Sequence, residues 1–166
     1  KLWVLAVSEH LSLALANLKL RESLRTQAVR DALTGLYNRR YMEHALEREV
    51  LRAARNRRTV GLIMLDLDHF KSVNDTYGHE VGDLLLRSVG EFLLANVRAE
   101  DIACRYGGEE FVVMLPEATL AMTQTRAEQL WKGIQGLTVN VRGQLLRPLT
   151  TSVGVAAFPE HGRTLA

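Results

Sequence analysis

Cysteine is nearly absent. Cys104 is the single one in 166 residues, so no internal disulfide can form and thiols do not fix the redox compartment. It stands in the apolar run Ile102-Ala103-Cys104, where a small buried hydrophobe is the expected role and a reactive thiol the alternative. Long hydrophobic runs are missing too. No stretch approaches the ~20 apolar residues of a membrane-spanning helix. The apolar segment Leu2 to Val7 is too short and lacks the shape of a signal peptide. Neither sign of charge dominates: 21 Lys and Arg against 19 Asp and Glu leave a formal net charge of +2. That balance argues against a nucleic-acid polymer as the main partner. Internal repeats and low-complexity tracts are absent as well, which excludes a solenoid.

What remains is the composition of a globular domain. Hydrophobic residues make up 47% and charged residues 24%, enough for a core and outside the disordered range. The length fits one domain with an appendage. The chain starts at Lys1 and stops at Ala166 without a clear end signal, and it reads as a piece of a longer protein.

Residues 1–30 contain no Gly or Pro. Leu11, Leu15 and Leu18 recur at helical spacing, as do Leu13, Leu20 and Leu24. A long N-terminal helix is expected, with a wide apolar surface that either pairs with a second copy or packs on an upstream domain. Asp31 to Arg40 interrupts it with turn residues around Gly35 and Asn38. A second helix is expected from about Arg39 to Asn56. Thr59 to Leu65 reads as a buried strand ending in Asp66-Leu67-Asp68. Phe70 to Gly82 reads as polar turns, and Leu84 to Val97 as a helix. Ile102 to Tyr106 and Phe111 to Leu115 flank Gly107-Gly108-Glu109-Glu110 as a hairpin. A helix over Thr119 to Gly133 and strands near Leu137–Val141 and Leu149–Ala157 complete the chain. Such a mixture predicts an α+β fold, with an antiparallel or mixed sheet and helices packed on it.

Three groups of residues can carry chemistry. Asp66 and Asp68 share one side of a strand end, because side chains alternate along a strand. Carboxylates there need a partner, water or a cation, and hard oxygen donors favour Mg²⁺; capping the strand end is the plain alternative. In the hairpin, glycines permit tight backbone geometry, whereas adjacent Glu109 and Glu110 repel each other unless something positive offsets them. If the hairpin adjoins the Asp66 strand, the carboxylates can hold two divalent ions for phosphoryl transfer; otherwise it is an exposed acidic turn. Lys71, Asn74, His79 and Asp83 form a polar set suited either to a phosphate and a base edge or to ordinary turns and caps. Arg98 and Asp101 form an i, i+3 pair, a surface ion pair or a phosphate grip.

Taken together, these segments resemble one family. Asp31-Ala-Leu-Thr-Gly-Leu-Tyr-Asn-Arg-Arg40, Asp66-Leu-Asp-His-Phe-Lys71, Asn74-Asp75, Gly78-His79, Gly82-Asp83 and Arg105-Tyr-Gly-Gly-Glu-Glu-Phe111 are similar, in order and spacing, to the motifs of GGDEF domains. The likeness runs from Asp31 to Ala166. It implies a palm-like fold of the nucleotidyl cyclase and polymerase type, a ferredoxin-like core with a central, mainly antiparallel sheet flanked by helices. It implies a diguanylate cyclase, a nucleotidyltransferase joining two GTP into cyclic di-GMP with release of two pyrophosphates.

The resemblance also assigns roles. Asp66, Glu109 and the main-chain carbonyl of Leu67 would bind Mg²⁺, two ions per half-site, with Mn²⁺ as an alternative. Glu109 would serve as base, Glu110 would support the metal site and Lys71 would stabilise phosphate charge. Asn74 and Asp83 would read guanine, with His79 and Phe70 in the same GTP site. Arg98 and Asp101 would form an inhibitory product site, whose usual second arginine is Gln129 here. Catalysis would need a homodimer. Residues 1–30 resemble the connector that follows a sensory domain such as GAF. The location implied is cytoplasmic, in a parent that is free or membrane-attached. After Phe158-Pro-Glu-His-Gly162 the family continues into a helix and strand beyond this chain. A GTP or cyclic di-GMP binding module, and a dimerising scaffold, are the competing readings.

Overall fold

The computed structural model describes residues 13, 15–17, 20, 28–141, 144–146 and 150–162. The expected N-terminal helix therefore lies almost wholly outside the described residues.

Strand β1 (Tyr37–Asn38) leads into helix α1 (Arg39–Asn56), and strand β2 (Val60–Leu67) follows. Helices α2 (Phe70–Tyr77) and α3 (His79–Asn96) precede strands β3 (Ile102–Gly107) and β4 (Glu110–Pro116). Helix α4 (Leu120–Gln135), the small strands β5 (Val139–Val141) and β6 (Gln144–Leu146), and β7 (Thr151–Phe158) complete the order. The main sheet runs β1-β3-β4-β2-β7, and β5 pairs with β6 apart from it. Only β1 and β3 are parallel within the main sheet; its other pairs are antiparallel. The expected α+β architecture is therefore present.

Alternation along the strands divides the core. Ile63, Leu65 and Leu67 of β2, with Phe111, Val113 and Leu115 of β4, face Leu86, Val89 and Leu93 of α3 and Leu130 and Ile134 of α4. The opposite face sets Val60, Val112, Met114 and Cys104 against Met42, Ala45 and Ala53 of α1. Central β4 is thus covered on both sides, which is why it reads as an unbroken apolar run. On β2, helix α1 covers only the Val60 end of that second face; its first turn reaches the tip end along β3, where Arg39 lies 4.5 Å over the Tyr106 ring. Toward the other end Met64 is 39% exposed, and Asp66 is half-buried.

Local chemistry sets the joints. Asn38 accepts from Tyr41 N–H at 3.0 Å and starts α1, and Thr119 caps α4 through Met122 N–H at 3.3 Å. Asp31 accepts from Thr34 N–H at 2.9 Å and from its hydroxyl at 2.7 Å, closing the turn before β1. Arg30 lies 3.8 Å over the Tyr37 ring, which stacks on Tyr41 at 4.1 Å.

Two expectations change. Phe70 to Gly82 is helical except at Gly78, where α2 hands over to α3. Gly82 lies inside α3, where packing sets its identity: a Cβ there would collide with Asn74 Oδ1 and crowd the Phe70 ring. Strand β6 was not expected from the sequence at all.

Candidate active site

The carboxylates meet at one end of the sheet. In the antiparallel ladder Asp66 lies opposite Glu110, and on its other side opposite Ser152. Both Asp66 and Glu110 point to the face that α1 leaves open, since each keeps the parity of its strand's α1-facing residues. The adjacency of hairpin and strand, open in the sequence, is thereby settled. Glu109 sits in the turn, and its carbonyl accepts from Leu67 N–H at 3.4 Å. Glu109 and Glu110 are half-buried.

The hairpin tip is irregular. Register shifts between Arg105 and Gly107, and Gly108 adopts φ +47, a conformation that favours glycine. Arg105 secures the tip from inside. Its Nε donates to Gly108 O at 3.0 Å, while Nη1 reaches both Asp31 carboxylate oxygens at 3.4 Å. Burial raises the Asp31 pKa, but the Thr34 hydroxyl and N–H and the Arg105 guanidinium outweigh it and hold the carboxyl below its ordinary value.

Asp68 has a different partner from Asp66. Its Oδ1 accepts from Ser152 Oγ at 2.6 Å. That hydroxyl first, and Thr150 second, lower its pKa.

The polar set occupies the helices after β2. His69, at φ 59, turns the chain into α2. Phe70 is buried in the core, while Lys71 in the first turn of α2 is exposed. Asn74 carries a buried Oδ1 with no hydrogen-bond partner among the described residues. Such an acceptor is costly unless a donor arrives, and an N–H edge is the natural complement. His79 and Asp83 lie one turn apart on α3, both exposed.

The oxygen-only donors suit a hard divalent ion, and like charges opposite each other in a ladder favour one. Among the described residues no three His, Cys, Asp or Glu side chains converge into a ready cage. A cation here would need main-chain and phosphate oxygens beside the carboxylates, as Mg²⁺ commonly does.

Arg98 and Asp101 lie just before the other end of β3, whose span from Ile102 to Gly107 is roughly 17 Å at ~3.3 Å per strand residue. They do not form the expected side-chain ion pair. Asp101 instead accepts from the Arg98 backbone N–H at 2.9 Å, which closes the loop and leaves the guanidinium outward. Both line a groove of about 1320 Å³ between α1, α4 and the ends of β3 and β4. The groove also holds Gln129, the position the sequence placed with Arg98 and Asp101; the contribution of α1 comes from a segment far away in the chain and was not foreseen.

Comparison with known proteins agrees with this arrangement. The family described as "Diguanylate cyclase, GGDEF domain" matches residues 28–166. The response regulator PleD of Caulobacter vibrioides is 44% identical over 138 residues, 82% of this chain and 30% of PleD. Diguanylate cyclase DosC of Escherichia coli is 36% identical over 131 residues, 79% of this chain and 28% of DosC. The crystal structure of the coiled coil and GGDEF domain of DgcB from Caulobacter crescentus, in complex with c-di-GMP, superposes with a TM-score of 0.78. It shares 30% identity and covers 91% of this chain and 82% of that one. The chain belongs to the GGDEF diguanylate cyclase family. It spans less than a third of the length of the curated relatives PleD and DosC. Among the described residues no helix is long and apolar enough to cross a membrane.

Proposed function

We propose that residues 31–166 form the cyclase unit of a diguanylate cyclase and that residues 1–30 connect it to an upstream sensory domain in a cytoplasmic setting. The observation that carries this reading is Asp66 opposite Glu110 on the open face, beside Glu109. Two half-buried carboxylates in direct opposition suit a site for a cation and a polyphosphate.

Asp66, Glu109 and the Leu67 carbonyl would hold Mg²⁺, supported by Glu110, and bound Mg²⁺ would neutralise the charge of the triphosphate. Asn74 Oδ1 accepts from the guanine N–H edge, and Asp83 accepts beside it. His79 and Phe70 bound the same GTP site. Lys71 stabilises charge gathering on the phosphates. Glu109 takes the proton of the ribose 3′-hydroxyl. The new bond joins that oxygen to the α-phosphorus of the GTP on the facing subunit, and the bond to pyrophosphate breaks. The reciprocal attack closes the ring, so one cyclic di-GMP and two pyrophosphates leave. Positioning and electrostatics supply the rate. Each domain holds one GTP, which makes a homodimer the working unit. The DgcB structure holds a coiled coil together with its GGDEF domain, which supports a pairing role for residues 1–30. Cyclic di-GMP at Arg98 and Asp101 slows turnover.

The whole protein, incubated with GTP and Mg²⁺, should yield cyclic di-GMP by mass spectrometry. Glu109→Ala should lower the rate at least ~100-fold. No product from a folded, dimeric protein would leave a GTP or cyclic di-GMP binding module instead.

A further inference from the structure

The Leu67 carbonyl differs from the carboxylates proposed beside it, because it has no rotamer to set its direction. Its aim comes from the backbone alone, and hydrogen bonds on both edges of β2 fix the backbone there. On one edge Leu67 N–H donates to Glu109 O at 3.4 Å. On the other, Asp68 N–H donates to Thr150 O at 3.0 Å. The Asp68 side chain also turns to β7, where Ser152 Oγ donates to its Oδ1 at 2.6 Å.

The direction of the carbonyl follows from these partners. A trans peptide sends its C=O and its N–H opposite ways. The Asp68 N–H points at β7, so the Leu67 carbonyl points away from β7, toward the hairpin turn that carries Glu109. Among the described residues Glu109 N–H returns no bond to that carbonyl. An oxygen held in direction, yet unpaired by its ladder neighbour, suits a hard cation.

Ser152 stands between two carboxylates. It lies opposite Asp66 in the ladder, yet its hydroxyl proton goes to Asp68, and a hydroxyl has only that proton to give. The bond has the short length of a charge-assisted contact. The Asp66 oxygens are thereby left to a cation, while Asp68 is tied to β7. That tie falls where the strand needs it. Strand β2 ends at Leu67, β7 is an edge strand, and His69 at φ 59 already turns the chain away.

We infer that Ser152 and Asp68 form a clasp that fixes the Leu67–Asp68 peptide and so aims the Leu67 carbonyl at the divalent ion. The inference rests on the metal site proposed above and deepens it. Both are positioning residues. Asp68 acts as an acceptor that holds its own backbone, and the ion makes no use of its charge.

Titration of Mn²⁺ into the full chain with saturating 3′-deoxy-GTP tests this, with the protein-bound ion read by electron paramagnetic resonance. The analogue lacks the attacking hydroxyl, so no bond forms during the measurement. Melting temperatures in EDTA are recorded alongside. Ser152→Ala and Asp68→Ala should each weaken Mn²⁺ binding about tenfold, as loss of a partner behind a ligand commonly does. Ser152→Thr keeps a hydroxyl and Asp68→Asn keeps an acceptor oxygen, so both should stay within about threefold of wild type. A merely structural role would move the melting temperature in EDTA and leave the Mn²⁺ affinity of the folded protein in place. Wild-type affinity in Ser152→Ala would overturn the inference and leave the metal site standing. So would a loss that Ser152→Thr does not restore, or a loss in Asp68→Asn as deep as in Asp68→Ala, which would make the charge the active property. A wild type that holds no Mn²⁺ would remove the metal site itself.

Discussion

Arg105 and Asp31 meet across 74 positions of sequence, with Nη1 3.4 Å from both carboxylate oxygens. The same guanidinium holds Gly108 O through Nε at 3.0 Å. One side chain thus joins the turn that follows the N-terminal segment to the tip of the Gly-Gly-Glu-Glu hairpin. Both partners are about four-fifths buried, with 19% and 24% of their side chains exposed, so water replaces neither one fully. Arg105→Ala should cost about 1–3 kcal/mol, the usual penalty for orphaning buried polar groups. Chemical denaturation reads this directly, and activity should fall as the tip loosens.

Acid should release the same joint. The folded Asp31 carboxyl has its pKa held below the ordinary 3.8. A depressed carboxyl contributes stability that is fully present above the unfolded value and is lost as pH falls through the folded one. The difference in melting temperature between the wild type and Asp31→Asn should be level above about pH 5 and shrink below about pH 3.8. A difference that grew on acidification would contradict the assignment.

Asp66 and Glu110 repel across the ladder when no cation is present. Glu110→Gln should therefore stabilise the protein in EDTA by about 0.2–1 kcal/mol. On the proposed metal site, added Mg²⁺ should stabilise the wild type, and Glu110→Gln should abolish most of that gain. Thermal melts with and without Mg²⁺ check both signs together. A Glu110→Gln protein that melts lower than wild type in EDTA would show that the opposition is already relieved within the fold.

Gly82→Ala separates stability from binding. The new methyl collides first with Asn74 Oδ1, the end of a short polar side chain able to swing aside. Alanine gains up to about 1 kcal/mol in helix propensity over glycine, which offsets the crowding at Phe70. Stability should stay within about 1 kcal/mol of wild type. On the role proposed for Asn74, KM for GTP should rise about tenfold, because the displaced amide would no longer meet the base. Steady-state kinetics beside a denaturation curve distinguishes this from simple misfolding.

Cys104 is buried, and burial pushes its thiol up to about 12. Folded protein should resist thiol reagents at neutral pH, and unfolded protein should react at once. A timed labelling assay then reports global opening without any added probe.

Much of the site was legible because it is local. Asp66 ends its strand, and the two glycines with two glutamates bend the hairpin, where the sequence places them. The contact between the two was not legible: strand pairing is non-local, and nothing in either segment names its neighbour. Helix α2 was hidden for a different reason. Asn74, Asp75 and Gly78 are turn formers by propensity, and packing of Phe70 and Val73 on the core overrides it. Gly82 looked like a turn glycine and is a helix residue that makes room. Arg98 and Asp101 looked like an ion pair by spacing, but the carboxylate satisfies a backbone N–H instead. Gln129 of α4 was placed beside them by the sequence, but the wall that α1 adds comes only with tertiary structure.

The register shift between Arg105 and Gly107 divides β3 into a beam and a pointer. Ile102 to Arg105 pair with β4, and Cys104 and Arg105 are locked on the other edge by β1 as well. Beyond the shift, the tip is held both by Arg105 and by β2, through Glu110 opposite Asp66 and Leu67 N–H on Glu109 O. The position of the two glutamates is thereby tied to the frame itself, so a change at Arg105 is felt at the strand that carries Asp66.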